Sequence, residues 1–547
     1  MRSQSAVSAC AFASFVLAGA LGACGGPDEQ KAGDSPSAAA APAQPLTPDA
    51  AAKAAAEHAA MLDREYPMHG LVTGTQIKVR QKADPDATTV GWVRVGARLR
   101  LQSEPTKARN CSSGFYAVYP VGFVCAGEGV TVEAKPPASP IALTPPASDA
   151  PLPYQYYFVK EPKVPEYHRL PSRDEQRETR DFLARYDELF VKSPEKAAKL
   201  LKGELANELK PPLFIRRFLD RGFFIAGAGL EERASRKFVR AVRGSYVKQG
   251  SLEERKGSSF QGIEITPSRD AVGGVSQAAS LPVAWAVREA QPFVVRPRDD
   301  GSLRLVPAEG HKPYARLTTV PWIGRERVGD TLFHKLSDGF YVKAWFLAVA
   351  EPIKRPKQIP ADAPWVHVNL EQQTLVAYRG DTAVYATLVS SGLEGHDTPI
   401  GLFDIKQKYV ANGMADLGPE AGDDRYSIDD VPWTQYFSGS IALHGAFWHE
   451  RFGLQRSHGC VNLAPYDAHR VFNHTWPTVA EGWHGVTTDQ TGLPASKVLI
   501  SKSAREDDIA AALVPQPRAP VASAEAPAAP AAPAPPPKPA APEQKPE

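Results

Sequence analysis

Cys460 and the histidines near it are the residues of this 547-residue chain whose types and spacing could carry out covalent chemistry. His444 stands sixteen positions before Cys460, at the end of an apolar run, and His458 stands two positions before it. A thiol attacks as its thiolate, and a free thiol with a pKa of about 8.5 is mostly protonated at neutral pH. A nearby imidazole can accept that proton, or pair with the thiolate, and later return the proton to a leaving amine. These residues therefore suit acyl transfer through a thioester.

Glycines flank both reactive groups. Gly445 and Gly459 leave room for a substrate, and backbone N–H groups near Cys460 could form an oxyanion hole. In an extended segment His458 and Cys460 would share a face, because alternate residues of a strand point the same way. We expect two neighbouring strands joined by a loop to bring His444 within contact of Cys460.

The many histidines of this region could instead bind a metal ion. The histidines of this region are His444, His449, His458, His469, His474 and His484. The pair His449-Glu450 lacks the second histidine of a helical His-Glu-x-x-His site, and the chain has no Cys-x-x-Cys pair. The sequence therefore predicts no metal and no other cofactor.

Short β-type segments surround the reactive residues. Alternating apolar residues at 366–369, 373–378 and 384–390 predict strands, with a Gly-Asp turn at 380–381. The motifs that follow are Thr-Pro-Ile-Gly-Leu-Phe at 398–403, Ile-Ala-Leu-His-Gly at 441–445 and Ser-His-Gly-Cys-Val-Asn-Leu at 457–463.

With these motifs in this order, residues 364–503 closely resemble the catalytic domain of the L,D-transpeptidases of the YkuD type. The resemblance implies that Cys460 is the nucleophile and that His444 is its base, oriented by the backbone carbonyl of Gly445. Family members commonly carry arginine where Asn462 stands, a departure that concerns oxyanion or substrate contacts. A direct catalytic role for His458 stays open. The residues that would shape the site or contact substrate are His458, Gly459, Gly445, Ser457 and Asn462.

The resemblance also implies the reaction. A tetrapeptide stem of peptidoglycan would donate its acyl group to Cys460 and release its terminal D-alanine. An amine of a neighbouring stem would resolve the thioester and leave a cross-link between two third-position residues, and carbapenems would acylate the same thiol. Water as acceptor would make an L,D-carboxypeptidase, and a protein amine would make a protein–wall linker. The remaining alternative is a non-catalytic wall-binding lipoprotein, against which the intact His444 and Cys460 argue.

The N-terminus has the layout of a secretory signal over residues 1–23. Arg2 is followed by small apolar residues at 6–21, a run too short to span a bilayer comfortably. Leu-Gly-Ala-Cys at 21–24 resembles the lipobox of bacterial lipoproteins, which implies cleavage before Cys24 and its acylation. Gly25, by analogy, points to the periplasmic face of the outer membrane. An ordinary signal peptide with a chance cysteine is the alternative.

The other cysteines fit an exported protein. Cys111 and Cys125 lie close together in one β-type segment, and export permits a disulfide between them. Cys10 leaves with the signal, so Cys460 is the unpaired thiol.

The rest of the chain is predicted to be modular and mainly β. The formal net charge is +2 and no basic patch stands out, so nucleic acid is not an expected partner. Residues 66–133 resemble a bacterial SH3-like barrel, and the repeated Gly-Phe-Tyr at 339–341 favours a second such unit. The remaining predicted regions are a flexible tether at 24–60, a Pro-rich linker at 134–172, a mixed region with a helix at 173–355, and a disordered Pro/Ala-rich tail at 504–547.

Overall fold

The computed structural model describes residues 48–137, 146–201, 210–265, 280–416 and 426–514. The described chain is mainly β, which confirms the fold class predicted from the sequence. The signal segment, Cys24 and residues 515–547 lie outside the described residues. In the part that the structure describes, no helix is long and apolar enough to cross a membrane.

The first module is an arrangement of eight strands preceded by the helix α1 (Pro48–Glu65). Its strands are β1 (Met68–Val72), β2 (Gln76–Arg80), β3 (Thr89–Arg94), β4 (Arg98–Leu101), β5 (Thr106–Ala108), β6 (Cys111–Ala117), β7 (Phe123–Cys125) and β8 (Val130–Glu133). Strand β1 pairs with β4 and β8, β2 pairs with β3 and β7, and β6 joins β5 to β7. A disulfide links Cys111 to Cys125, whose Cα atoms are 5.9 Å apart, and so ties β6 to β7.

The middle module contains the helices. Its elements are β9 (Gln155–Val159), β10 (Val164–Tyr167), α2 (Arg173–Lys192), α3 (Pro194–Leu201), β11 (Ile215–Leu219), β12 (Phe224–Arg233), β13 (Arg236–Ala241), β14 (Tyr246–Lys248) and β15 (Leu252–Arg255). The predicted helix is α2, which begins with a capping box between Ser172 and Glu175 and buries Phe182 and Tyr186. The short strand β16 (Ile263–Glu264) follows and pairs with the catalytic region.

The third module repeats the pairing of the first, strand for strand. Its strands are β17 (Val283–Ala286), β18 (Phe293–Pro297), β19 (Leu303–Pro307), β20 (Thr319–Val320), β21 (Trp322–Val328), β22 (Thr331–Leu336), β23 (Tyr341–Lys343) and β24 (Leu347–Ala350). Strand β17 pairs with β20 and β24, β18 pairs with β19 and β23, and β22 joins β21 to β23.

The middle module follows the same scheme with its fourth and fifth strands fused into β12. Strand β9 pairs with β12 and β15, β10 pairs with β11 and β14, and β13 joins β12 to β14. The local sequence repeats too, because Tyr-Val-Lys at 246–248 and at 341–343 is followed each time by a 3₁₀ turn and a strand. The structure thus contains three modules with one topology, where the sequence had predicted one or two.

Three predicted boundaries differ from the structure. Residues 48–60, expected in the flexible tether, are helical because the Ala-rich run after Pro48 has high helix propensity. The predicted linker 134–172 contains β9 and β10, whose aromatic residues are buried despite the prolines around them. The predicted tail begins with the helix α5 (Glu506–Ala512), which buries Ala512 against the catalytic core.

The catalytic region, predicted at 364–503, is built from ten strands and one helix in the described part. These are β25 (Pro364–Asn369), β26 (Thr374–Arg379), β27 (Thr382–Ser390), β28 (Gly401–Asp404), β29 (Gln407–Asp416), β30 (Tyr426–Ser438), β31 (Ile441–Gly445), β32 (Val461–Leu463), α4 (Pro465–His474), β33 (Gly485–Thr487) and β34 (Lys497–Ser501). Strand β31 lies between the antiparallel β30 and the parallel β32, and β27 pairs with the other side of β32. Apolar side chains of these strands and of α4 form two clusters that hold the sheet rigid.

The hairpin of β29 and β30 is one place where the first and middle modules meet the region predicted to be catalytic. Asp430 of β30 is buried and bonds Arg94 of the first module at 2.6 Å and Arg243 of the middle module at 3.5 Å. The hydroxyl of Tyr156 donates to the backbone carbonyl of Asp430 at 2.5 Å. Strand β30, which pairs with β31, therefore carries Asp430, the residue that binds both the first and the middle module.

Candidate active site

His444 and Cys460 are placed by two neighbouring parallel strands. His444 is the fourth residue of β31, and Cys460 directly precedes β32. The register pairs Leu443 with Val461 and His444 with Asn462, which puts Cys460 beside the residue two positions before His444. Because alternate residues share a face, Cys460 and His444 are diagonal neighbours on one face of the sheet. The prediction of neighbouring strands is confirmed.

The sulfur of Cys460 lies at the surface end of this pair. The side chain is partly exposed and unpaired, and Sγ lies 3.8 Å from the carbonyl oxygen of Ser440. His444 is buried, with an exposed fraction of 3%. The register therefore places a half-buried thiol and an enclosed imidazole on neighbouring strands.

The ring of His444 is oriented by the residue that follows it. Nδ1 lies 3.2 Å from the carbonyl oxygen of Gly445, so Nδ1 carries the proton and Nε2 is left as the basic nitrogen. Trp448 stacks against the ring, with 5.7 Å between ring centroids and 27° between planes. Gly445 is tightly enclosed, since a Cβ there would lie 3.0 Å from Pro432 Cγ. These contacts fix both the tautomer and the direction of the imidazole.

Both reactive groups are uncharged in the free protein. Burial raises the pKa of the Cys460 thiol to about 11, although a hydrogen bond with the backbone of Ala442 opposes this. Burial also lowers the pKa of His444 to about 4, against a smaller opposite effect of the Gly445 carbonyl. Of the two protonation states open to the pair, the structure favours thiol and neutral imidazole over thiolate and imidazolium. His444 can therefore act as a general base at the moment of attack.

The turn before Cys460 is held by backbone and side-chain hydrogen bonds. Thr398 accepts the N–H of Gly392 at 2.9 Å and donates to the carbonyl of Gly459 at 2.8 Å. The hydroxyl of Ser457 accepts the N–H of Gly459 at 3.2 Å and donates to the carbonyl of Cys460. Ser457 therefore closes the turn, and Thr398 ties it to the neighbouring loop.

Residues 458–460 form a bend, so the expectation of an extended segment is wrong. Gly459, between His458 and Cys460, has a φ of +109°, which bends the chain. A Cβ at Gly459 would lie 2.7 Å from Ile441 Cδ1, so the bend is also sterically tight. The exposed ring of His458 instead meets His396 at 4.7 Å between centroids. Its direct catalytic role stays a prediction.

Asn462 is held by His449. Nδ1 of His449 accepts the backbone N–H of Arg451 at 3.1 Å, and Nε2 lies 2.9 Å from the side-chain amide of Asn462. Burial lowers the pKa of His449 to about 3, and the amide nitrogen Nδ2 is the atom of Asn462 that faces Nε2. The amide oxygen Oδ1 is buried and has no hydrogen-bond partner among the described residues. Substrate contact by Asn462 stays a prediction.

Several residues of the site were not found from the sequence. Trp448 follows the histidine motif and was not singled out, and His449 was considered only as a metal ligand, although their aromatic types were a signal. Tyr436 of β30 gave no signal; burial and, to a lesser extent, the nearby Cys460 raise its pKa to about 12, and its hydroxyl accepts from Asn412 at 3.0 Å. These contacts depend on how β30 and the loop after β31 pack around the nucleophile.

The residues that the structure describes hold no group of three or more His, Cys, Asp or Glu side chains suited to a metal ion. His444 uses Nδ1 for the Gly445 carbonyl, and His449 uses its two nitrogens for Arg451 and Asn462. These two histidines are therefore engaged in hydrogen bonds within the site.

The segment of the chain that contains this site matches a protein family. Residues 363–484 match the L,D-transpeptidase catalytic domain. The matched segment contains β31, the turn at 457–460 and β32, and so includes His444 and Cys460. The match covers less than half of the chain and leaves the three modules outside it. No curated protein matches the chain.

Solved L,D-transpeptidases are similar to parts of the chain. One from Mycobacterium smegmatis is 14% identical over 50% of this chain and 98% of its own, with a TM-score of 0.21. The catalytic domain of the E. faecium enzyme is 20% identical over 25% of this chain and 97% of its own, with a TM-score of 0.20. L,D-transpeptidase 3 from Mycobacterium tuberculosis is 15% identical over 33% of this chain and 79% of its own, with a TM-score of 0.21.

Proposed function

We propose that this protein is a peptidoglycan L,D-transpeptidase whose nucleophile is Cys460. The observation that carries the proposal is the placement of Cys460 and His444 as diagonal neighbours on adjacent strands within the matched catalytic domain. A thiol beside an imidazole of fixed tautomer is the arrangement that nucleophilic acyl transfer requires.

The proposed first step is acylation. Sγ of Cys460 attacks the carbonyl that precedes the terminal D-alanine of a tetrapeptide stem, while Nε2 of His444 takes the thiol proton. The tetrahedral intermediate collapses, the C–N bond breaks, and the imidazolium gives its proton to the departing amine. The thioester is left on Cys460. A neutral pair of thiol and imidazole suits this series of steps, since no stable thiolate has to be desolvated before attack.

The second step transfers the acyl group to an amine of a neighbouring stem, which forms the cross-link between two third-position residues. Water as acceptor would give L,D-carboxypeptidase activity, and a protein amine would give a protein linked to the wall. No cofactor is needed because one amide replaces another. A non-catalytic wall-binding role is disfavoured by the intact and oriented His444.

We also propose that the protein is exported and anchored by lipid at Cys24 to the periplasmic face of the outer membrane. The lipobox-like residues 21–24 support this, and the Cys111–Cys125 disulfide suits an oxidising compartment. The three modules would then be SH3-like units between the anchor and the catalytic domain. Loss of the protein from the membrane fraction in Cys24→Ser cells tests the anchor.

The function is tested by mass spectrometry of muropeptides after the purified protein is incubated with peptidoglycan. Cross-linked products between third-position residues indicate transpeptidation, and shortened stems without cross-links indicate carboxypeptidase activity. Cys460→Ala is the matched control and should give neither product. Unchanged muropeptides with the wild-type protein would contradict both activities.

A further inference from the structure

A cleft lies at the junction between the first module and the catalytic region. Its lining includes Arg80, Asp86 and Trp92 from the first module, Gln407 from β29, and Asp489 and Gln490 from the segment after β33. The cleft encloses about 440 Å³, a size typical of pockets that bind small ligands. The family match covers residues 363–484, so all of these residues except Gln407 lie outside it.

The two walls of the cleft belong to one continuous sheet. Strand β3 of the first module pairs with β33, with Trp92 opposite Gly485, and β33 pairs in turn with β29. The backbone N–H of His484 donates to the carbonyl of Trp92 at 2.8 Å, and the side chain of Gln81 donates to the carbonyl of Thr491 at 3.2 Å. These hydrogen bonds fix the first module against the catalytic region at the cleft.

The cleft lies on the face of the sheet that carries Cys460. Thr487 pairs with Gln407, and Gln407 pairs with Tyr436. Tyr436 pairs with Ala442, which is the residue beside Cys460. Because directly paired residues point to the same face, these five side chains form one row across the sheet. Three strand spacings of about 4.8 Å separate Gln407 from Cys460, which places them about 14 Å apart along the sheet.

Aromatic rings lie beside this row. Trp92, Gly485 and Tyr409 are paired across three strands. The rings of Trp92 and Tyr409 meet over Gly485, with 5.1 Å between centroids, and a Cβ at this glycine would lie 2.5 Å from Tyr409 Cδ1. Tyr409 also contacts Tyr436, with 6.2 Å between centroids. Since Trp92 and Tyr436 are partly exposed, aromatic surface extends from the cleft towards the nucleophile.

The polar groups of the cleft are held in place but keep hydrogen-bonding atoms for a ligand. Arg80 donates through Nη1 to two oxygens of the segment 87–89, at 3.0 and 3.2 Å, and forms no ion pair with the described residues. Gln407 accepts at Oε1 from the hydroxyl of Tyr409 at 3.3 Å, which leaves its amide N–H groups available. The carboxylate of Asp489 is exposed and has no hydrogen bond or ion pair within the described part of the chain.

The mixture of groups indicates the chemical class of the ligand. Arg80 is accompanied by the carboxylates of Asp86 and Asp489, so the cleft has no excess of positive charge to attract a phosphate group. A purely apolar ligand would remove water from these side chains without replacing its hydrogen bonds. A sugar suits both features, because each hydroxyl can donate and accept a hydrogen bond and its C–H face can cover the ring of Trp92.

We propose that this cleft binds a sugar unit of the peptidoglycan glycan strand while the attached stem peptide reaches Cys460. The inference rests on the proposed transpeptidase function and adds the first module to the substrate site. The acyl group that Cys460 attacks belongs to the third residue of the stem, and three extended residues span about 10–11 Å. The group that joins stem to sugar adds to this length, so a sugar in the cleft fits the separation of about 14 Å.

The test compares two donors with the same peptide in the full-length protein. One donor is the free tetrapeptide, and the other is the same tetrapeptide attached to its disaccharide. Formation of the acyl adduct is followed by intact mass spectrometry at donor concentrations well below saturation. The wild-type protein should be acylated about tenfold faster by the disaccharide donor than by the free tetrapeptide.

Two variants separate sugar binding from folding. Trp92→Ala should lower the acylation rate with the disaccharide donor about tenfold and leave the rate with the free tetrapeptide nearly unchanged. Asp489→Ala should give a smaller loss with the disaccharide donor alone, and because Asp489 is exposed its removal leaves the pairing of β3 with β33 intact. Asp299→Ala removes an exposed carboxylate of the third module and should behave as wild type.

Equal rates with the two donors in the wild-type protein would overturn the inference. Equal losses with both donors in Trp92→Ala and Asp489→Ala would also overturn it, because the cleft would then hold the stem peptide or support the fold. Binding of soluble glycan chains without stems is measured on the Cys460→Ala protein, and addition of Trp92→Ala should weaken it about tenfold. If the wild-type protein forms no adduct with either donor, the proposed function fails and this binding measurement alone decides the inference.

Discussion

The Nδ1 atom of His444 lies 3.2 Å from the carbonyl oxygen of Gly445, so the imidazole is held with its basic nitrogen, Nε2, free of that bond. Because Nδ1 already carries the ring proton, Nε2 can accept a thiol proton without a change of tautomer. The orientation is a property of two consecutive residues, and it depends on the close packing of Pro432 around Gly445.

We expect His444→Ala to lower the acylation rate by a factor of roughly 10² to 10⁴, because the thiol loses its base. His469→Ala is a suitable control, since this partly exposed histidine lies on α4 and bonds the backbone of Ser148. The rate of adduct formation with a tetrapeptide donor is the measurement. An alanine variant that acylates within threefold of wild type would remove His444 from the mechanism.

We expect Cys460 in the free protein to react slowly with iodoacetamide at pH 7. Burial raises the thiol pKa to about 11, so the reactive thiolate is scarcer than in a free cysteine and increases as pH rises towards that value. The rate at pH 7 should be on the order of a hundredfold below that of the unfolded protein. Rapid alkylation at pH 7 that is independent of pH would indicate a thiolate–imidazolium pair instead.

We expect Gly459→Ala to lower both stability and activity. The substitution combines a left-handed backbone with a Cβ only 2.7 Å from Ile441 Cδ1, and should destabilise the fold by about 1–3 kcal/mol. Gly492→Ala is the matched control, because its φ is +77° but no atom lies within 4 Å of the added carbon. Urea unfolding and adduct formation are the measurements, and equal effects of the two variants would rule out a special role for the turn.

We expect Asp430→Asn to lower the free energy of unfolding by about 3–5 kcal/mol, because it removes the buried carboxylate that pairs with Arg94 and Arg243 of two modules. Although burial alone would raise it, Arg94 and Arg243 hold the pKa of Asp430 below its usual value of 3.8. The carboxylate therefore stabilises the protein above that pH, and its contribution is lost as the pH falls further.

Urea unfolding at pH 7 and at pH 3 tests this anchor. The difference between Asp430→Asn and wild type should be large at pH 7 and smaller at pH 3. Asp381→Asn, which removes an exposed partner of Arg355, should change stability by less than about 0.5 kcal/mol. A similar small effect at Asp430 would mean that the modules are held to the catalytic domain by other contacts.

The core of the site could be predicted from the sequence because its parts are local. His444 closes an apolar strand, and Cys460 sits in a short motif with its own turn residues, so both were found. The extended segment from His458 to Cys460 was predicted wrongly, because Gly459 was interpreted as open space rather than as a bend with a φ of +109°. The contact between Asn462 and His449 joins two separate segments, and no pattern along the chain indicates it.

In the modules too, some elements could be predicted from the sequence and others could not. Strands with alternating residues in the first module were recognised, but β9 and β10 were assigned to a linker because prolines surround them. The position of these strands depends on the packing of Tyr156 against Phe447 of the catalytic domain, with 3.9 Å between ring centroids. The copy of the topology in the middle module was hidden by the insertion of α2 and α3 after its second strand. The Ala-rich run at 48–60 did carry a helix signal, which composition alone had obscured.

The central claim is that Cys460 carries the acyl group, and intact mass spectrometry of the protein incubated with a tetrapeptide donor tests it most directly. The account predicts a mass increase equal to the donor less its terminal D-alanine, mapped by proteolysis to the peptide containing Cys460. The Cys460→Ala protein should fold normally and show no increase. An adduct on another residue, or an equal increase in the alanine variant, would contradict the account.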